Sequence, residues 1–540
     1  MPRYTLSFLL LIIISAVSAQ SYDQVMRARF HPGAPGAVAL VAKNGKIIFQ
    51  KAYGVANMEL GVNIKPDSRF RIGSLTKQFT ACAILKLAEE GKLSLDDRLT
   101  KYFKDFPAAY DSITILHLLT HTSGISLSRG YWNAELRKKD FTPRELVDVF
   151  RNDTLDFKPG TRFIYNNNNY VLLGYLIEQI SGQSYARYMD SVFFKPLGMH
   201  HTSIETAAAI IPNKVAGYRY GIYDKFENAP YLSMTQPYAA GSIVSTAGDL
   251  FTWITALMQY KVISAASLEK AVSSHRLADG SLTNYGFGWA TGSIRGNKSI
   301  RHDGLINGFS AFMTWLPKQA VCVIVLTNCE YYNPEDAGTR LAAIALGKPY
   351  PEIPLKMQPE SLQSYQAVYE SGSYGKRIVQ LLDSTLYIYS KGGSKEQLFP
   401  YAKDKFFLRN SLETFSFIHD PSGKIIALQA EGPEKTIEYS RSPEVVPAVK
   451  TIRLSAAELD RYLGWYQFSP DFSLQIFREG NQLYGKGEGP RQIKQLILPL
   501  GNNRFAAKFL DAELWFKEDE KGKITGVTKV QNGESMAVKR

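Results

Sequence analysis

Apolar and polar positions change period along the chain, and the changes mark its elements. Val38–Ala42 and Ile47–Tyr53 read as two strands. Asn44-Gly45 between them is a strong two-residue hairpin signal, because both residues tolerate the left-handed conformation that such a turn needs. From Ser74 to Glu90 no Gly or Pro interrupts a helical pattern, and Gly91 is placed to end it. Helical periodicity returns at Tyr170–Gln179 and Leu250–Gln259, the latter preceded by Thr246 and Asp249 in capping-box spacing. Residues 285–330 alternate strand-like runs with glycine turns. Mixed helix and strand in this order predicts one α/β or α+β domain over residues 20–347.

A Pro-rich stretch, 348–360, follows, with Pro349, Pro351, Pro354 and Pro359; this composition predicts a linker. Beyond it, short Tyr-, Phe- and Leu-rich runs separated by Gly, Asn and Asp replace the helical pattern. They repeat. Tyr365, Tyr369 and Leu386-Tyr387 recur 97 residues later as Tyr462, Tyr466 and Leu483-Tyr484. Phe406, Phe417, Gly423-Lys424-Ile425 and Arg441 recur 99 residues later as Phe505, Phe516, Gly522-Lys523-Ile524 and Arg540. One two-residue insertion accounts for the change of offset. The reading is two copies of one small β-barrel, 361–442 and 454–540, joined by a linker at 443–453.

Composition narrows the class. With 540 residues, 45% apolar and 21% charged, the chain is an ordinary globular protein of several domains. The net charge of +13 is not gathered into runs. It fits a basic but ordinary surface; attraction to anionic envelope polymers is the second reading, and nothing points to nucleic acid. Residues 1–19 carry Arg3, an apolar core from Leu6 to Ile14, and Val17 and Ala19 before Gln20. This is the pattern of a secretory signal peptide, too short to favour a membrane anchor. The expectation is export to the periplasm or beyond, with no membrane span in the mature chain. Cys322 and Cys329 flank one strand-like run, Val323–Leu326, where residues seven apart lie about 23 Å from each other, too far for a disulfide. No metal-ligand spacing occurs, so no cofactor is expected.

Candidate chemistry lies at Ser74-Leu75-Thr76-Lys77. Residues three apart share a helix face, so Lys77 can reach the Ser74 hydroxyl. The helix N-terminus favours negative charge developing at Ser74, and with burial it disfavours a lysine ammonium. Two further Ser-x-x-Lys motifs, at Ser267 and Ser373, show that the motif alone is weak. Tyr165-Asn166-Asn167 stands 91 residues after Ser74, just before a predicted helix, and His302-Asp303-Gly304 another 137 residues on. Taken singly, Tyr165 also fits a packed aromatic, Asn167 a turn residue, and His302 a structural histidine.

The ordered set resembles the serine β-lactamase and penicillin-binding-protein superfamily, in its class C β-lactamase, D-aminopeptidase and esterase branch. Supporting phrases are Leu118-Leu119-Thr120-His121-Thr122-Ser123-Gly124, Leu172-Leu173-Gly174, Ala240-Gly241 with Ser245-Thr246-Ala247-Gly248-Asp249, Tyr285-Gly286-Phe287-Gly288-Trp289 and Gly308-Phe309. The resemblance implies a five-stranded antiparallel sheet flanked by helices, with a helical subdomain, followed here by two lipocalin-like barrels. It implies Ser74 as acylated nucleophile, Lys77 as its proton partner and Tyr165 as second general acid/base. Asn167, His302 and Gly304 would line the substrate, and the backbone N–H groups of Ser74 and Leu305 would form the oxyanion hole. His121 and Ser123 read as structural. The third motif departs from the family's Lys-Thr-Gly, which tilts the expectation towards an aminopeptidase-like or esterase activity on a small molecule or peptide. A β-lactamase or D,D-peptidase is the alternative enzyme; a receptor holding an apolar ligand in its barrels is the non-enzymatic one.

Overall fold

A computed structural model describes residues 22–127, 136–221, 225–351, 354–409, 411–433, 435–469, 472–487 and 494–540. The candidate signal peptide, residues 1–19, lies outside them. The predicted hairpin is β1, Ala37–Lys43, and β2, Lys46–Tyr53, with Asn44 and Gly45 both at positive φ. Four further strands, β3 (Ala290–Ile294), β4 (Asn297–Ile306), β5 (Phe309–Leu316) and β6 (Val321–Thr327), complete an antiparallel sheet in the order β3-β4-β5-β6-β1-β2. The sheet thus has six strands where the family resemblance leads one to expect five.

β1 and β6 are apolar at nearly every position because both of their faces are covered. Side-chain alternation sends Val38, Leu40, Ile324 and Leu326 into one core and Ala39, Val41, Val323 and Val325 into another. The first core holds α1 (Thr76–Glu89) and α2 (Asn167–Ser181), which carry site residues, and α3 (Ala247–Met258). The second is closed by a helix over residues 22–27 and by α4 (Pro334–Ala345). The capping box expected at α3 is half formed. Thr246 accepts the Asp249 N–H, but the Asp249 carboxylate turns away to the His201 N–H and the Thr202 hydroxyl, 2.8 Å each. Those groups offer it two donors that the helix end does not need. Cys82, Cys322 and Cys329 are all buried.

The chain divides into two units, one ending at Tyr350 and the other beginning at Pro351. The second unit holds two all-β modules. From Gly464–Ser469 to Glu534–Lys539, eight strands close into a barrel. The preceding copy is a nine-stranded sheet whose edge strands, Glu396–Gln397 and Phe399–Ala402, are consecutive in sequence. Leu398 between them donates its N–H to the Leu386 carbonyl, so this barrel is nearly closed through one stretch of chain. The same stretch of the second copy, Gln495–Gly501, is a single strand.

The repeat is visible in the bonds. Tyr365 donates to Asp404 (2.8 Å) and Tyr462 to Asn503 (2.6 Å); Tyr369 donates to the Tyr365 carbonyl (3.0 Å) and Tyr466 to that of Tyr462 (2.7 Å). Phe406, Phe417 and Leu428 fill one interior, and Phe505, Phe516 and Val527 the other. Among the described residues, no helix is long and apolar enough to cross a membrane.

Candidate active site

Ser74 lies in a single 3-10 turn, Gly73–Leu75, that runs directly into α1. One helical turn on, Lys77 is fully buried. Its Nζ is 3.0 Å from Ser74 Oγ, 2.8 Å from Asn167 Oδ1 and 3.0 Å from the Ala240 carbonyl oxygen. All three partners are neutral. Burial without a counter-ion pulls the Lys77 pKa down to about 7, against a smaller upward pull from Asp303. A neutral amine suits these partners. Its two hydrogens satisfy the amide oxygen and the carbonyl, which only accept, and its lone pair is left for the Ser74 O–H.

Tyr165 ends an extended segment just before α2. Its hydroxyl is near enough to Ser74 for that side chain to lower its pKa slightly, and its ring centroid is 4.8 Å from Lys77 Nζ. The ring is 36% exposed, so this aromatic is not a core residue. Desolvation raises its pKa well above the ordinary phenol value, which keeps the phenol protonated at neutral pH. Asn166 caps α2 by accepting the Asn168 N–H, and Asn167, the first helical residue, is thereby left to reach Lys77.

β3 pairs only with residues 297–301 of β4, so no strand among the described residues covers that edge of 302–306. β4 returns to β5 through the two-residue turn Asn307-Gly308, with Ile306 opposite Phe309. In such a hairpin the closing pair is hydrogen-bonded, and alternation then turns the Leu305 N–H away from β5 to the free edge. This is the orientation an oxyanion donor needs. A Cβ on Gly304 would lie 2.0 Å from the Ile72 carbonyl oxygen, and one on Gly73 would lie 3.0 Å from Leu305 N. Only glycine at 304 lets the strand pass this close to the Ser74 turn.

His302 is buried beside Gly304, whereas Asp303 and Leu305 are exposed. His302 Nδ1 lies 2.6 Å from the Asp303 carbonyl, to which it donates, and Nε2 accepts from the Tyr285 hydroxyl at 2.8 Å. Burial lowers the His302 pKa to about 4, so the ring is neutral at pH 7. Asp303 points away from the side that His302 and Gly304 share, yet its charge is felt at Lys77, Tyr165 and Tyr285.

Ser74, Lys77, Tyr165 and Asn167 therefore meet in one place, with the 302–305 edge beside the Ser74 turn. Three participants escaped the sequence reading. The Ala240 carbonyl is a backbone group, which no side chain betrays. Tyr285 stood in a recognised phrase without a role. His121, read as structural, lies with its ring 4.4 Å from that of Tyr165.

Comparison with known proteins gives the family of the chain. The Beta-lactamase family profile matches residues 22–348. Penicillin-binding protein 4* of Bacillus subtilis (strain 168) is 31% identical over 424 residues, 73% of this chain and 93% of that protein. Among solved structures, an octameric penicillin-binding protein homologue from Pyrococcus abyssi superposes with a TM-score of 0.55 at 26% identity, covering 79% of this chain and 99% of that one. A D-stereospecific amidohydrolase from Streptomyces sp. gives 0.50 at 25% identity, covering 60% and 97%. The chain thus belongs to the Beta-lactamase family, as a serine hydrolase of the β-lactamase and penicillin-binding-protein type with two β-barrel modules after its catalytic unit.

Proposed function

We propose that the protein cleaves an ester or amide through an acyl-enzyme on Ser74, with a preference for D-aminoacyl or simple ester substrates. The observation that carries this reading is the fully buried Lys77, hydrogen-bonded to Ser74 and to neutral acceptors alone. Neutral Lys77 takes the Ser74 proton as Oγ bonds to the substrate carbonyl carbon, and the carbonyl π pair moves to oxygen. The Ser74 and Leu305 N–H groups receive that oxyanion. As the tetrahedral centre collapses, the bond to the leaving group breaks. Tyr165 gives its proton to the departing amine or alcohol and regains one from the Lys77 ammonium. Water then enters by the reverse route: it loses a proton to the relay, attacks the acyl carbon and releases the acid and Ser74.

The substrate preference rests on the third motif. A neutral His302 supplies no cation for a carboxylate beside the scissile bond, and Asp303 adds a negative charge that attracts an ammonium. Similarity to a D-stereospecific amidohydrolase supports the same direction. The leader pattern of residues 1–19 supports action outside the cytoplasm, where peptides of the cell envelope are candidate substrates. The test compares kcat/KM for a short-chain nitrophenyl ester, a D-alanyl anilide and a chromogenic cephalosporin, with wild type and Asp303→Asn. The ester or anilide should be preferred, and Asp303→Asn should lower the anilide more than the ester. A cephalosporin as best substrate, or three unchanged ratios in the variant, would overturn the preference.

A further inference from the structure

Tyr165 has to stay over Ser74 through a proton transfer, yet it sits on an extended segment outside any helix or strand. One residue anchors that segment on both sides. The Ile164 N–H donates to the His121 carbonyl oxygen (3.0 Å), and the Asn166 N–H donates to His121 Nδ1 (3.1 Å). One N–H on each side of Tyr165, from the Phe163–Ile164 and Tyr165–Asn166 peptides, is thus tied to the main chain or the side chain of the same histidine. His121 is fully buried at φ +57°, a left-handed conformation that costs a non-glycine residue energy and persists only where its surroundings require it.

The ring does further work. Nδ1 accepts from the Asn166 N–H, so the proton resides on Nε2. That Nε2 is buried and finds no hydrogen-bond partner among the described residues. Aromatic faces surround the imidazole instead: Tyr165 at 4.4 Å, Tyr170 and Tyr285 at 5.1 Å and Phe163 at 6.2 Å between centroids. Tyr285 in turn bonds His302. A side chain chosen only for packing would not leave a buried N–H unpaired at the back of a reacting phenol.

We propose that His121 is a positioning residue that fixes the Tyr165 phenol over Ser74, acting through the two peptides it anchors and the face of its ring. The inference rests on the reading of Tyr165 as the proton-transfer residue. A displaced phenol should slow chemistry and leave substrate binding nearly untouched.

A double-mutant cycle on the full chain tests this, reading kcat and KM for a nitrophenyl ester. His121→Ala should lower kcat about 10- to 100-fold, with KM within about threefold. His121→Asn should retain kcat within about threefold, because asparagine tolerates the left-handed backbone and offers an oxygen to the Asn166 N–H. In a Tyr165→Phe background, His121→Ala should cost less than about twofold more, since the group it positions is gone. Equal losses in both backgrounds would overturn the proposal and leave Tyr165 in its role. Full activity in Tyr165→Phe alone would remove the role of Tyr165 and the positioning with it. Should His121→Ala fail to fold, His121→Asn takes its place in the cycle. Its smaller loss in the wild-type background should vanish in Tyr165→Phe, and a loss that persists there overturns the proposal.

Discussion

The candidate active site and the barrels both hold tyrosines whose pKa values are raised, and the mechanism proposed above moves a proton through only one of the two regions. Tyr369 and Tyr466 each donate to a main-chain carbonyl four residues earlier in their barrels. Burial pushes the Tyr369 pKa up to about 12, but its acceptor cannot take up a proton, so the bond is purely structural. Tyr165 is perturbed in the same direction by the same cause. It differs in its neighbours: a hydroxyl that can give and take, and a lysine whose ammonium has no carboxylate in contact. Buried basic side chains divide in the same way. Arg340, 2% exposed, is held by Asp336 at 3.0 Å, whereas the three groups that Lys77 bonds, on Ser74, Asn167 and Ala240, are all neutral. A perturbed pKa marks burial; an exchangeable partner beside it marks chemistry.

The largest effect should come from the group at the end of the relay. Ser74→Ala removes the covalent route and should lower kcat/KM by at least about 10³-fold, with the fold retained. A fluorophosphonate should label wild type at Ser74 and leave the variant unlabelled. Label on Ser267 or Ser373, the other Ser-x-x-Lys serines, would move the nucleophile and end the comparison.

Ser74 and Lys77 were legible because their contact is local, three residues apart on one helical turn. The hairpin at Asn44-Gly45 and the barrel repeat were legible for similar reasons: a short turn has a sequence code, and a repeat needs only counting. Tyr165 and Asn167 needed the family's motif order, since the Lys77–Asn167 bond spans 90 residues. What stayed hidden was contributed by backbone or by burial. The Ala240 carbonyl has no side-chain signature, and the anchoring role of His121 depends on a positive φ and on two peptides 43 and 45 residues away. The break at Leu398 in the first barrel has no counterpart in the second, although Pro400 and Pro499 occupy equivalent positions.

The next effect is of pH. In the proposed mechanism the reactive form of Lys77 is the neutral amine, and its pKa of about 7 lies below the ordinary 10.5. Ester hydrolysis should therefore rise with pH through about 7 and level off above it, falling about tenfold per unit on the acid side. Asp303 favours the ammonium, so Asp303→Asn should shift the midpoint to lower pH. The linkage runs the same way. Between the folded and unfolded pKa values the unfolded chain holds a proton that the folded one does not, so this lysine makes the fold more stable as pH rises over that window. A flat profile from pH 5 to 9, or a midpoint that moves up in Asp303→Asn, would show that Lys77 is no more a base than the barrel tyrosines are.

The smallest effects should be in the barrels, and they test the other half of the comparison. Tyr369→Phe and Tyr466→Phe each delete a buried hydroxyl and leave the carbonyl of Tyr365 or Tyr462 without its donor. The net value of such a bond is about 0.5–1.5 kcal/mol. Because the two sites repeat one geometry, with the same aromatic neighbours at Phe417 and Phe516, the two losses should agree within about 0.5 kcal/mol. Urea unfolding of the full chain, followed at the transition of the second unit, measures both. Ester turnover should not change, in contrast to Tyr165→Phe, which removes a hydroxyl of similar pKa direction at the cost of the relay. A barrel variant that slows turnover without unfolding would place these modules in the reaction, and the division between structural and exchanging tyrosines would fail.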